Sequence, residues 1–155
     1  MSKSQSLFTR LACTAVAGFL ALGAAGAATA ADVSITLTGV KEGGTLYVGL
    51  QTEDQFMSME TVGGESMTVN ADGDVTISLA GIEPGTYAFS IWHDINGNGE
   101  FDMAPQGWPE DGWSAYNVTM IMGAPSFSQV SFKVDDAGFE TTEPMIYPEF
   151  FTNMP

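Results

Sequence analysis

Oxygen-bearing side chains recur at alternate positions in one short segment, Asp94 to Asp102, which reads DINGNGEFD. Counted from Asp94, such side chains stand at the first, third, fifth and ninth positions, and a backbone carbonyl stands at the seventh. Calcium takes six to eight oxygen ligands, and a tightly wound loop points alternate residues inward. The segment therefore predicts a calcium loop with these ligands: Asp94, Asn96, Asn98, the carbonyl of Glu100, and Asp102.

This loop differs from an EF-hand, which ends in a glutamate at its twelfth position, because Pro105 stands there. Glu110, Asp111 or water could complete the ligand set. The alternative interpretation is a metal-free turn, since pairs such as Asn96-Gly97 are typical of tight hairpins. An extracellular calcium site with a Kd of about 0.1 to 1 mM contributes little free energy. We therefore expect the ion to act as a structural brace.

Aromatic residues and the single histidine flank this loop. His93 precedes the loop directly, but it has no second histidine or cysteine with which to form a transition-metal site. We expect it to hydrogen-bond a loop. Together with His93, the side chains of Trp108, Trp113 and Tyr116 could line a shallow site for a carbohydrate or another small ligand. Packing of these rings in the core is the competing interpretation.

Methionine supports a further alternative. Met57 and Met59, and likewise Met120 and Met122, share one face if the chain is extended there. Thioethers suit Cu(I), so copper handling in the periplasm is an alternative function, although methionine is also an ordinary core residue. The sequence shows no nucleophile and base pair and no cofactor fingerprint, so it predicts no enzyme.

The first thirty residues have the pattern of a secretory signal peptide. A basic segment precedes the apolar stretch from Leu11 to Ala28, and the run ends in Ala28-Thr29-Ala30, a small-x-small cleavage signal. We expect cleavage after Ala30 and a periplasmic or secreted product. An uncleaved membrane anchor is disfavoured because the span is near the lower limit for crossing a bilayer.

Cleavage at this point would change the chemistry of the chain. It removes Cys13, the single cysteine, so no disulfide or thiolate site can form afterwards. It also removes two of the 4 basic residues and none of the 19 acidic ones, which moves the net charge from −15 to −17. A surface this negative repels nucleic acid and anionic lipid. Cations, basic proteins and neutral ligands remain as partners, and the sequence does not define the oligomeric state.

The residues after the leader alternate apolar and polar side chains with a period of two, as strands do. The predicted strands cover 33–40, 44–51, 66–69, 74–82, 86–94, 116–122 and 129–134, with a weak candidate at 144–151. The turn at 41–44 is predicted to join the first two strands as a hairpin. We expect a loop or short helical turn at 51–60. The pattern predicts an all-β domain over 31–155, an antiparallel β-sandwich of immunoglobulin or transthyretin type.

Longer motifs resemble a known family. The run GIEPGTYAFSIWHDINGNGEFD, followed by GWPEDGWSAYN, GAPSF and VSFKVD, is similar to the bacterial exported-protein family called domain of unknown function 2141. The resemblance covers most of residues 32–135 and leaves 136–155 as an added tail. It implies a secreted or periplasmic β-sandwich and supplies no activity. We therefore expect an exported, non-enzymatic module with a binding or structural accessory role at the cell envelope.

Overall fold

Eight strands form two sheets in the computed structural model, which describes residues 29–121 and 123–152. The strands are β1 (Ala31–Val40), β2 (Thr45–Gln51), β3 (Gly63–Thr68), β4 (Gly73–Ile82), β5 (Gly85–Asp94), β6 (Gly112–Ala115), β7 (Ser131–Val134) and β8 (Phe139–Pro144). The all-β prediction is confirmed. The predicted signal peptide falls almost wholly on residues outside those described.

The two sheets face each other across the main hydrophobic core. One sheet has the order β4-β1-β8, and the other has the order β3-β2-β5-β6, with β7 beside β5. Successive side chains of a strand alternate between its faces, so strands such as β1 present one apolar face inward. Ile35 and Leu37 of β1 are fully buried, and they belong to the same core cluster as Leu50 of β2 and Phe89 of β5.

β1 and β2 do not form the predicted hairpin. β1 pairs with β4 and β8, whereas β2 pairs with β3 and β5, so the turn at 41–44 carries the chain from one sheet to the other. β1 and β2 each have an apolar face. Both faces become buried because the two strands lie in opposite sheets, on either side of the core. The predicted antiparallel pairing has one exception: β8 runs parallel to β1, whereas the other strand pairs are antiparallel.

The helical elements are short, and they replace part of the predicted strand content. The predicted strand at 116–122 is wrong: β6 ends at Ala115, Asn117 has a left-handed φ of 57°, and Val118–Met120 form a 3-10 turn. A 3-10 turn also forms at Glu53–Gln55, as predicted for 51–60. Two short helices follow, α1 (Phe127–Val130) and α2 (Pro148–Thr152). In the described part of the chain, no helix is long and apolar enough to cross a membrane.

The segment that follows β8 joins the two sheets. The backbone N–H of Met145 donates to the carbonyl of Thr38 in β1 over 2.9 Å. The next residue, Ile146, exchanges two backbone hydrogen bonds of 2.8 and 2.9 Å with Trp113 of β6. Met145, Ile146 and Tyr147 are all buried. The tail at 136–155 therefore contains a strand of the sandwich and closes one side of it.

Candidate metal-binding loop

The predicted calcium loop begins with a buried carboxylate. Asp94 ends β5 and is 2% exposed. Its Oδ1 accepts hydrogen bonds from the backbone N–H groups of Gly97 (2.8 Å) and Asn98 (3.2 Å), and its Oδ2 accepts one from Gly99 (2.9 Å). Gly97 and Gly99 have φ values of 73° and 76°, which glycine adopts at little steric cost. The chain can therefore wind around Asp94.

Two amide side chains converge on the carboxylate at the far end of this loop. The Nδ2 atoms of Asn96 and Asn98 donate to Oδ2 of Asp102 over 2.8 and 2.7 Å. Their amide oxygens accept the backbone N–H groups of Asn98 and Glu100 over 2.9 and 2.8 Å. The structure thus brings the predicted ligand residues into one loop, with the Glu100 side chain exposed.

A further carboxylate lies at the base of the loop. Asp111 is 1% exposed, and its Oδ2 accepts hydrogen bonds from the backbone N–H of Asp102 (3.1 Å) and from Nε1 of Trp92 (2.9 Å). Trp92 lies on β5, so Asp111 connects the end of the loop to the sheet. Glu110, the other acid considered for the ligand set, is exposed.

A cation bound beside Asp102 would require the side chains of both asparagines to turn. In residues 29–121 and 123–152, no three histidine, cysteine or acidic side chains are grouped so that they could hold a metal ion. The predicted set differs from such a group because it includes two asparagines and a carbonyl. The amide nitrogens of Asn96 and Asn98 face Asp102, so both amides must turn before their oxygens can bind a cation there.

His93 is fully buried beside this loop. Its Nε2 lies 2.7 Å from the carbonyl oxygen of Gly43, and its Nδ1 lies 2.7 Å from the hydroxyl of Tyr147. A carbonyl only accepts hydrogen bonds, so Nε2 carries the proton and Nδ1 accepts from the tyrosine hydroxyl. The same hydroxyl accepts the backbone N–H of Lys41 over 3.0 Å. His93 and Tyr147 together hold the turn at 41–44 against the C-terminal segment.

The sequence motifs around this loop are those of one bacterial family. The family model of the domain of unknown function 2141, described as an uncharacterized protein conserved in bacteria, matches residues 35–142. The chain belongs to this family. The match includes the whole candidate loop and extends into β8. No curated protein and no solved structure matches the chain.

In this member of the family, the four residues predicted to line a ligand site have different environments. Trp108 is 48% exposed and stacks on Phe151 of α2 with ring centroids 4.8 Å apart. Trp113 lies half-buried on β6, and Tyr116 packs edge-on against two phenylalanines of the core region. His93 is inaccessible. Carbohydrate binding therefore stays a prediction, with Trp108 as its most accessible residue.

Three of the four methionines considered for copper lie in turns or bends. Met57 and Met59 are 71% and 93% exposed in the loop after β2, and Met120, which is 79% exposed, ends a 3-10 turn. Met122 lies outside the described residues. Met57 has a left-handed φ of 63°, so its pair does not follow an extended chain. Copper handling stays a prediction.

Tyr147 is the residue of this region that sequence spacing could not reveal, because it lies 54 residues from His93. Burial raises the pKa of its phenol above the usual 10.0, and the charges of Glu149 and Asp72 act in the same direction, against the hydrogen bond from Lys41. Lys41 also forms an ion pair with Glu149 and lies 4.5 Å from the centre of the Tyr147 ring. The hydrogen bond from Lys41 lowers the pKa of Glu149.

Replacing Tyr147 with phenylalanine should lower the stability of the fold near neutral pH. It should also reduce the loss of stability that occurs as the pH rises. The variant leaves His93 Nδ1 and the Lys41 N–H without their partner, at a cost of about 1 to 3 kcal/mol. Because the folded pKa is raised, the stability that this phenol contributes is complete below pH 10 and is lost as pH rises through the folded pKa. Thermal unfolding between pH 8 and 12 measures both effects. If the Tm of the wild type and of the variant changed in parallel with pH, the raised pKa of the Tyr147 phenol would be contradicted.

Proposed function

We propose that this protein is an exported, non-enzymatic β-sandwich module in which calcium braces the loop from Asp94 to Asp102. Its role would be a binding or structural accessory one at the cell envelope, in the periplasm or outside the cell. The immunoglobulin-like or transthyretin-like character of the sandwich is part of this proposal. Calcium would be held by the oxygens of the loop and would take no part in a reaction.

The observation that carries the proposal is a pair of buried carboxylates at the loop, Asp94 and Asp111, which accept hydrogen bonds but have no cationic partner in the described residues. Asp94, Asp102 and Asp111 belong to the end of β5 and the loop that follows it, and in residues 29–121 and 123–152 none of them has a lysine or arginine partner. Removing a carboxylate from water without a compensating charge is costly, and a divalent cation beside it would offset that cost. The loop supplies oxygen donors, which hard cations such as calcium prefer.

The proposed location agrees with the expected affinity. Calcium loops of extracellular modules bind with a Kd of about 0.1 to 1 mM. Such a site would be about half to nine-tenths occupied at about 1 mM calcium and empty at the far lower calcium level of a cytosol. A loop with such weak calcium affinity would stabilise the fold only after export, where the protein meets calcium.

A calcium titration followed by thermal unfolding tests the proposal. For a Kd of about 0.1 mM, 1 mM calcium stabilises the fold by about 1.4 kcal/mol. In a domain of this size, this corresponds to a rise in Tm of roughly 4 to 8 °C. Magnesium should produce a smaller rise because it demands octahedral geometry and retains its water.

Matched variants separate loop binding from general charge screening. Asp102→Ala should abolish the rise in Tm, since Asp102 receives both asparagine side chains. Asp136→Ala, which removes an exposed acid from the turn between β7 and β8, should leave the rise intact. A wild-type Tm that ignores calcium, or an equal rise in the two variants, would refute the calcium brace.

A further inference from the structure

The side of the sandwich opposite β8 contains a groove. Its volume is about 310 Å³, and residues 62–65 and 78–82 line it. β3 ends the five-stranded sheet and β4 ends the three-stranded sheet. Within the described chain, β3 pairs with β2 alone and β4 pairs with β1 alone. The groove therefore lies between two sheet edges, each of which has one unpaired side.

Glu65 is the one charged residue of β3, and the strand lacks the other features that usually prevent strand addition. Proteins protect such edges with charged side chains, above all lysine, and with proline, bulges or a covering element. β3 reads GGESMT, and its six residues pair with β2 in an unbroken register. The two glycines have no side chains to shield the backbone. This edge is accessible at Gly64 and Glu65, which are exposed.

The inner part of the groove is apolar. Leu79 and Ile82 of β4 are each 6% exposed, and Val62, just before β3, is 45% exposed. A strand added to β3 would direct alternate side chains into the groove and the others toward solvent. Apolar side chains at the inward positions would contact Leu79 and Ile82. Recognition would thus combine backbone hydrogen bonds with alternate apolar contacts.

We propose that an extended, basic segment of a partner protein adds to β3 in this groove. Glu65 lines the groove and Glu83 directly follows its β4 side, and both are exposed. The whole chain has 19 acidic and 4 basic residues, so it attracts a basic strand and repels a second copy of itself. Charge complementarity therefore favours a basic partner over self-association.

This site is separate from the proposed calcium loop. Gly63 of β3 pairs with Leu50 of β2, which pairs in turn with Phe89 of β5, so the groove lies near one end of β2 and β3. The loop follows Asp94, which pairs with Thr45 at the other end. Loss of calcium binding and loss of strand addition can therefore be observed independently.

A synthetic peptide of alternating lysine and valine, with blocked ends, provides a defined probe. The protein is expressed with its leader, recovered as processed, and labelled with nitrogen-15 for NMR titration. We expect saturable shifts of amide signals from residues 62–66 and 78–82. A second peptide with N-methyl groups on alternate backbone nitrogens keeps the charge and side chains but loses hydrogen-bond donors. Its affinity should be lower by about tenfold or more.

Two protein variants of equal net charge complete the test. Glu65→Lys should weaken peptide binding by about fivefold, whereas Glu140→Lys, an exposed position on β8, should change it by less than about twofold. The proposal is overturned if the N-methylated peptide binds equally well or if the shifts centre on residues 94–102. It is also overturned if the free protein forms dimers through β3. Should Glu65→Lys fail to fold, the comparison of the two peptides still decides.

Discussion

A chain that ends at Asp136 is expected to lose cooperative folding. This truncation removes β8, which pairs with β1 along its whole length, and the segment that joins the two sheets. It also removes Met145, Ile146 and Tyr147, which are between 4% and 7% exposed. Burial of each such side chain contributes about 1.5 to 3 kcal/mol, so the loss rivals the total stability of an ordinary domain, about 5 to 15 kcal/mol.

Circular dichroism and thermal unfolding would measure this effect. The matched control ends at Tyr147, so that it keeps β8 and the hydroxyl that contacts His93 while losing α2. The control should still unfold cooperatively, with a modestly lower Tm because the stacking of Trp108 on Phe151 is lost. A cooperative transition in the shorter chain would show that residues 137–155 are dispensable for folding.

Asp94→Ala is also expected to lower the free energy of unfolding strongly. The substitution removes the acceptor of three backbone N–H groups in the loop, those of Gly97, Asn98 and Gly99. Hydrogen bonds to a charged acceptor contribute about 1.5 to 3 kcal/mol each, and part of this is recovered when the loop opens to water. We expect a loss of about 3 kcal/mol or more in free energy of unfolding, measured with urea in the presence of a calcium chelator.

An isosteric variant distinguishes the two roles of Asp94. Asp94→Asn keeps the oxygen that accepts from Gly97 and Asn98 and replaces the one that accepts from Gly99. Its stability in chelator should therefore lie between those of the wild type and Asp94→Ala, while its response to calcium should be weaker than that of the wild type. If Asp94→Ala were as stable as the wild type in chelator, Asp94 would not organise the loop.

The strands could be predicted because their chemistry is local, but their partners could not. The alternation of Val33, Ile35 and Leu37 identifies a strand with one buried face. The same face can be buried beside a neighbour in a hairpin or across a sandwich, and period two does not distinguish these arrangements. The break after Ala115 depends on the left-handed conformation of Asn117, which a run of apolar residues does not reveal.

The candidate site likewise has local contacts that the sequence could predict and long-range contacts that it could not. The spacing from Asp94 to Asp102 identified a loop whose residues contact one another within a few positions. The contact between Trp92 and Asp111 spans 19 residues, and that between His93 and Tyr147 spans 54. Such contacts arise from the packing of sheets and tail, so no local motif encodes them. The sequence could suggest Asp111 as a metal ligand, but it could not predict the hydrogen bond that Asp111 accepts from Trp92.

The parallel pairing of β1 with β8 sets the order in which the fold can be completed. The contact between Lys41 and Tyr147 connects residues 106 positions apart. Closing so long a loop is entropically costly and slows folding, and a central strand that waits for a distant partner cannot finish its sheet early. While the chain emerges in sequence order, β1 can meet β4 but not β8. The three-stranded sheet therefore stays incomplete, with one side of β1 unpaired, until the distal strand emerges.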